Sequence, residues 1–420
     1  MSTTPEPPES TGPEPAWWRR RTVALVGAAA VVAVGVVVAL VVGGGGGGGS
    51  NGRAGGASTT TASGGPGATG PEGTGGGPAG SSTTSPTAPN GGGTGGTGSA
   101  TTTRGTGPAG GTGPGMVAFA SRRFGAPGIY VVAGDGTGEK LLTPTQGEYL
   151  TPVWSPDGTR IAFASRRLDN TDVYVVNAAG GGEHRLTTDA GEDFDPAWSP
   201  DGRRIAFTGH RNGNTDVYVV DAAGGGERRL TDSPDDEFGP AWSPDGTRIA
   251  YTRSTAAGAA IWVVGADGKG ARAIESPPGS NISPVWSPDG TRLAFVSTRN
   301  GNSDIFVAAA DGSGARAVTT DPGEDLSPAW SPDSRRLAYI SQRNADRDVH
   351  IVDADGGNDH AVAANRSEEA TPVWSPDGVH IAFVSDRDGI RHIYSVAADG
   401  SGLRRLSPGP GPDFDPRWRP

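Results

Sequence analysis

The sequence contains no cysteine, which excludes disulfides, thiolate metal sites, a cysteine nucleophile and a lipid on a mature N-terminal cysteine. Lysine occurs only at Lys140 and Lys269, and acidic residues outnumber basic ones 46 to 35. A basic footprint for phosphate backbones is therefore missing, and nucleic acid is not an expected partner. No Gly-x-Ser-x-Gly string stands between a strand and a helix, as a nucleophile elbow requires, and no glycine run leads into a Lys-Ser/Thr phosphate loop. After residue 115 nothing keeps a helical period.

What is plentiful is glycine (71) and proline (35), most of the excess lying before residue 115. Residues 1–21 form a polar tail ending in a basic flank, where Trp17 and Trp18 precede Arg19, Arg20 and Arg21. Residues 22–42 are uncharged and almost wholly Val, Ala, Leu and Gly. About 20 such residues span roughly 30 Å as a helix, the thickness of a bilayer core. The arginines place the N-terminus in the cytoplasm and the remainder outside the cell membrane. A cleaved signal peptide has the same basic-then-apolar order, but this stretch exceeds the usual apolar core and no Ala-x-Ala closes it. Residues 43–113 are Gly, Ser, Thr, Pro and Ala almost throughout, a composition that cannot offset chain entropy by burial. They read as a disordered, low-complexity tether of about 45 Å r.m.s. span.

The remainder, 114–420, keeps a strict ruler. Trp154, Trp198, Trp242, Trp286, Trp330, Trp374 and Trp418 follow one another at 44 residues, and the first six open Trp-Ser-Pro-Asp. Three more columns keep the step: Phe119 to Phe383, Tyr130 to Tyr394, and Leu142 to Leu406. Each sits in a short β-branched or aromatic run bounded by Gly, Asp, Pro or Asn, which is a strand signal. The unit is four strands: A (Pro-x-Trp), B (Ile-Ala-Phe type), C (Val-Tyr-Val type) and D (Arg-Arg-Leu type). Ser-Pro-Asp-Gly turns A into B, and Ala-Asp-Gly strings such as Ala266-Asp267-Gly268 turn C into D. Four antiparallel strands at this period predict an all-β, seven-bladed propeller. The first B strand lacks a preceding A strand, and the last A strand lacks a following B strand. Pro416-Arg417-Trp418 is therefore expected to supply the innermost strand of the first blade and clasp the ring.

The recurring Trp-Ser-Pro-Asp-Gly-x-x-Ile-Ala-Phe-x-Ser-x-Arg string resembles the repeats of TolB-like β-propellers, relatives of WD repeats, over residues 116–420. The resemblance implies the fold strongly and the function weakly: similar propellers serve as periplasmic interaction platforms, as gating domains of serine peptidases and, in one group, as lyases. The family pattern has six blades behind an N-terminal α/β domain. Seven units and an apolar anchor depart from it, so a Tol–Pal role is not implied. Nor is the hydrolase domain of a propeller-type peptidase expected, since the chain ends with the repeats.

Two charged columns are the candidate binding face. The acidic one is Glu148, Glu192 with Asp193, Asp236 with Glu237, Glu324 with Asp325, Glu368 with Glu369, and Asp413, placed in the D–A loops. The basic one is Arg123, Arg167, Arg211, Arg299, Arg343 and Arg387, in the B–C loops of the same face. Both skip a step, at Ser280–Asn281 and at Thr255, and both gaps read as belonging to one unit. The plainer reading has each Arg pair with a nearby acid and stitch blades together. The functional reading is an acidic channel mouth that grips a basic partner or a cation such as Ca²⁺. The whole chain carries −11; residues 1–22 cancel and 23–113 hold one net positive charge, so the repeats carry −12. The six histidines, His184, His210, His350, His360, His380 and His392, scatter over several columns, so no metal centre or catalytic set is expected, and His350 reads as packing. The expected protein is a monomeric, non-enzymatic, extracytoplasmic propeller without cofactor that binds a protein or cell-envelope glycan. The alternatives are a channel-centred lyase or hydrolase and a Ca²⁺-dependent sensor.

Overall fold

A computed structural model describes residues 115–167, 169–274, 279–343 and 346–420. The tail, the apolar stretch 22–42 and the linker 43–113 lie outside the described residues. The described residues contain strands and turns but no helix.

They form seven four-stranded antiparallel sheets, each ordered A-B-C-D. Blade 1 takes its innermost strand from the end of the chain, Asp413–Trp418, pairing with Met116–Ser121 through Val117↔Trp418 and Ser121↔Asp413. Blades 2 to 7 begin with Glu148–Trp154, Asp193–Trp198, Asp236–Trp242, Asn281–Trp286, Glu324–Trp330 and Glu369–Trp374. Each innermost strand touches the next, and Asp413–Trp418 touches both Glu369–Trp374 and Glu148–Trp154, so the ring is closed. Gly134 makes room for the clasp. A Cβ there would sit 2.8 Å from the Trp418 ring and 2.9 Å from the Gly115 carbonyl, whereas the other blades carry Ala at that step.

The A–B turn forms as its chemistry requires. Ser155 Oγ donates to Asp157 Oδ1 at 2.6 Å, the same oxygen accepts the Thr159 amide at 3.0 Å, and Gly158 takes φ 64°. These donors, Ser155 first, hold the Asp157 carboxyl down to about 2.

The core is not central. It consists of seven seams, in each of which the bulky face of one blade meets the smaller side chains of the blade before it. Trp154, Ile161, Phe163 and Tyr174 of blade 2 pack on Ala118, Ala120, Ile129 and Val131 of blade 1. The closing seam sets Phe119, Tyr130 and Trp418 against Ala382, Val384 and Ile393. Across six seams the Trp Nε1 donates to the carbonyl just before the preceding tryptophan, as from Trp198 to Val153 at 3.1 Å and from Trp154 to Arg417 at 3.0 Å. Trp418 Nε1 has no such partner. In five seams the first Arg of strand B also lies over the next blade's tryptophan, Arg160 over Trp198 at 4.7 Å and likewise Arg204, Arg248, Arg292 and Arg336. Each such contact contributes about 0.5–1 kcal/mol.

Two expectations change. Strand A is six or seven residues long rather than Pro-x-Trp, so the acidic positions stand in its first two residues or, for Glu192 and Glu368, immediately before it. Strand D is usually two residues, such as His184–Arg185, and the Leu column follows it. Leu186 still donates its amide to the Val173 carbonyl at 2.8 Å; the Arg-Arg-Leu run bends away after one ladder bond.

Candidate functional site

Five of the six B–C arginines, Arg123, Arg167, Arg211, Arg299 and Arg387, turn back along their own blade, because the stacked aromatic pair of strands B and C gives the guanidinium a π-face. Arg167 lies 4.3 Å over Tyr174, which stacks on Phe163, and Arg211 lies 4.2 Å over Tyr218. In most blades an acid closes the arrangement beside the guanidinium. Arg123 meets Glu139 at 2.5 Å and Asp413 at 3.2 Å; Arg211 meets Asp193 at 2.5 Å and Glu227 at 2.8 Å; Arg387 meets Glu369 at 3.0 Å. Arg167 pairs with Glu183 at 2.7 Å and donates to Tyr149, which holds the acid's place in blade 2. These pairs join strands of one blade, apart from contacts to the connecting loops such as Arg343 to Asp321 at 2.7 Å. The expectation that they stitch blades together is thereby corrected: the Trp and strand-B Arg contacts do that, since the B–C arginines lie flat on their own sheet.

The acidic column divides into two tiers, because successive residues of a strand point opposite ways. The inner tier, Asp193, Glu237, Asp325, Glu369 and Asp413, is buried. The outer tier is accessible: Glu148 and Asp236 are exposed, and Glu192, Glu324 and Glu368 half-buried. Glu368 approaches Arg347 at 3.6 Å, while Glu148, Glu192, Asp236 and Glu324 form no ion pair with a described basic residue. A run of two carboxylates per unit is thus one structural and one solvent-facing group.

The two gaps do not belong to one blade. Thr255 ends strand B of blade 4, where Arg253, two residues earlier, takes over the pairing with Asp235 at 2.6 Å and lies 4.5 Å over Trp262. Asn281 opens blade 5, where its Oδ1 accepts from Arg299 at 2.9 Å. Burial lowers the Arg299 pKa, in contrast to its carboxylate-paired counterparts Arg123 and Arg211, whose values are raised. In blade 6 Arg343 is drawn to Asp359, which also accepts from Tyr339 at 2.6 Å and meets His350 Nδ1 at 3.2 Å. That leaves Asp325 without an ion pair, and burial pushes its carboxyl up to about 7. His350 itself packs 5.6 Å from the Tyr339 ring.

The sequence reading missed a third level, on the wall of the ring's central channel. Every strand A is interrupted by a bulge at a left-handed residue just before its proline: Thr151, Asp195, Gly239, Ser283, Ser327, Thr371 and Asp415, with φ between 47° and 65°. Two of the seven are aspartates. Two residues on, six blades carry Val or Ala and blade 1 carries Arg417. Burial, with the neighbouring Asp415 charge, pushes Asp195 up to about 7. Comparing the residues three steps before and one step before each tryptophan, rather than the motif as a whole, would have found these departures.

Among the described residues no three His, Asp or Glu side chains gather as metal ligands. The histidines stay dispersed: His392 meets Asp413 at 3.3 Å in blade 1's seam, and His184 and His360 are exposed.

A pH dependence follows from the buried acids. Asp193 is pushed up to about 6 and Asp195 and Asp325 to about 7, each by burial first. Their folded-state values lie above the unfolded value near 3.9, so the native state binds more protons between roughly pH 4 and 7. Stability therefore falls as pH rises through that window. His392, whose pKa burial lowers, opposes this, while carboxylates held low by their turn donors, such as Asp157 at about 2, titrate below the window. Tm of the full chain is expected to be several degrees higher at pH 5.5 than at pH 8; an equal or lower value at pH 5.5 would refute the protonated-acid description.

A family model described as TolB beta propeller domain matches residues 115–238, 229–373 and 317–420. No curated protein matches the chain. Among solved structures, TolB from Acinetobacter baumannii is 17% identical with a TM-score of 0.50, covering 72% of this chain and 82% of its own. An oligogalacturonate lyase from Vibrio parahaemolyticus is 16% identical with a TM-score of 0.52, covering 70% and 86%. A puromycin-hydrolyzing peptidase of Mycobacterium tuberculosis is 17% identical with a TM-score of 0.56, covering 67% of this chain and 50% of its own. At these identities the likeness is one of fold.

Proposed function

The chain belongs to the TolB beta propeller family, and from that premise we propose that it is a non-enzymatic binding propeller, held outside the cell membrane by residues 22–42, whose loop face grips a basic protein surface. The observation that carries the reading is the division of the acidic column. The inner carboxylates are engaged with the blade arginines or buried, whereas Glu148, Glu192, Asp236, Glu324 and Glu368 ring one face within reach of solvent. With −12 on the repeats, a positive surface is steered to this face and register is set by the spacing of the blades. The linker 43–113 supplies reach from the membrane.

The test is capture from cell-envelope extract on the full chain in detergent. Replacing the five outer acids by Lys is expected to weaken capture by about tenfold or more, and ~0.5 M salt to do the same in the native protein. Capture indifferent to both, or turnover of an envelope glycan by the full chain, would overturn the proposal. The second outcome would favour a lyase or hydrolase acting from the channel carboxylates.

A further inference from the structure

The bulge ring has a sequence cause. Proline follows each of its seven members and cannot donate to the strand-B ladder, so the register slips there and the preceding residue turns left-handed. Such a kink is tolerated because strand A is the inner edge of its sheet. Its side effect, in every blade but the fourth with its Gly239, is to take one side chain out of the alternation between seams and place it at the channel.

Most of these positions are small or hydroxylated, and the charges break that pattern on one side only. Asp415 Oδ2 accepts the Thr151 amide of blade 2 at 3.3 Å, and the Arg417 charge offsets the Asp415 carboxylate. Asp195 has neither help. It is 9% exposed, and neither carboxylate oxygen has a hydrogen-bond partner. Asp195 belongs to blade 3 and Asp415 to blade 1, with blade 2 between them, yet the Asp415 charge acts on Asp195. The hydroxyls of Thr151, Ser327 and Thr371, members of the same ring, are likewise without partners.

We propose that the channel binds a single organic cation, an ammonium or guanidinium group, with Asp195 as its counter-ion and ring hydroxyls as further acceptors. A buried carboxylate needs an opposite charge with hydrogen-bond donors, and an ammonium brings one charge and three donors. A hard divalent ion fits poorly. It takes six to eight oxygens, but Asp195 is the one carboxylate here without a partner, and Arg417 adds a positive charge to the wall. The site does not depend on the outer acidic face, so this inference and the partner-capture reading fail separately. The group arrives either on a free amine or on a lysine or arginine side chain of a bound polypeptide.

Calorimetry on the full chain in detergent, with n-butylammonium, putrescine and a terminally blocked Gly-Lys-Gly peptide as probes, tests this. One site per chain is expected. Because the cation displaces the Asp195 proton while amines stay protonated (pKa near 10.4), affinity should fall about tenfold per pH unit below roughly pH 7. Asp195→Asn should abolish binding, and so should Asp195→Thr, which restores the residue of blades 2 and 7 if the amide folds poorly. Asp267→Asn, in an exposed C–D turn, should bind normally. Tighter binding of putrescine identifies a free amine, and tighter binding of the peptide identifies a polypeptide side chain. No binding at ~50 mM of any probe, equal binding of tetramethylammonium (which lacks N–H donors), or binding unchanged in Asp195→Asn would overturn the assignment.

Discussion

Removal of Asp413–Pro420 is expected to abolish cooperative unfolding of the propeller, or to lower its Tm by more than about 20 °C. The segment is the innermost strand of blade 1, paired on both sides of its bulge with Val117–Ser121 almost three hundred positions earlier. Its loss strips the Trp418 ring from the closing seam, where it packs with Phe119, Tyr130 and Val384. It also removes the Arg417 carbonyl that accepts from Trp154 Nε1 at 3.0 Å. Deleting a buried tryptophan alone costs about 3–5 kcal/mol. The lost ladder and the exposed edges of two seams add to that, against a total stability of roughly 5–15 kcal/mol. Circular-dichroism melts of the full chain with and without the eight residues decide the matter, with deletion of 43–90 as a control expected to leave Tm unchanged. A truncated chain that melts like the parent would mean that the ring closes elsewhere.

The second large effect is expected at Arg211→Ala, about 3–5 kcal/mol of destabilisation. Arg211 is the shared partner of Asp193 at 2.5 Å and Glu227 at 2.8 Å and covers the Tyr218 ring at 4.2 Å. Without it Asp193 is a wholly buried acid with no counter-ion, and an aromatic face is laid open. At roughly 2–4 °C per kcal/mol, Tm should drop by about 10 °C. Glu192→Gln, one residue from Asp193 but on the solvent side, should stay within about 0.5 kcal/mol of the parent. A small loss at Arg211 would show that these pairs behave as ordinary surface ion pairs.

Much of the architecture was legible because a 44-residue period puts equivalent residues into columns. Strand order, blade number and the closure at Trp418 all follow from aligning the Trp and Phe columns. The site was half legible. Columns located Arg123 through Arg387 and their acids, but composition cannot tell Glu192 from Asp193, and their roles differ because adjacent residues of a strand face opposite ways. Pairing was harder still. Each arginine's partner is chosen by tertiary surroundings, in most blades the aromatic stack it lies on, so Arg253 could replace position 255 and Arg343 could leave Asp325 for Asp359 without any mark in the motif. The stacking of Arg160 on Trp198 joins different blades and has no local signature. The channel residues were hidden for a different reason. Arg417 sits inside the recurrent Pro-x-Trp string and Asp195 and Asp415 immediately before it, where attention to what repeats obscures the three places that do not.

On the proposed function, burial splits one acidic column into a structural tier and a tier that recognises the partner. The measurement that tests it most directly is Tm and partner capture recorded together on two variants. One carries Gln at Glu148, Glu192, Glu324 and Glu368 with Asn at Asp236; the other carries Ala at Arg211 and Arg387. The account predicts that the first keeps the parent Tm within a few degrees and loses capture, while the second melts far lower. A first variant that captures its partner as the parent does, at unchanged Tm, would contradict it.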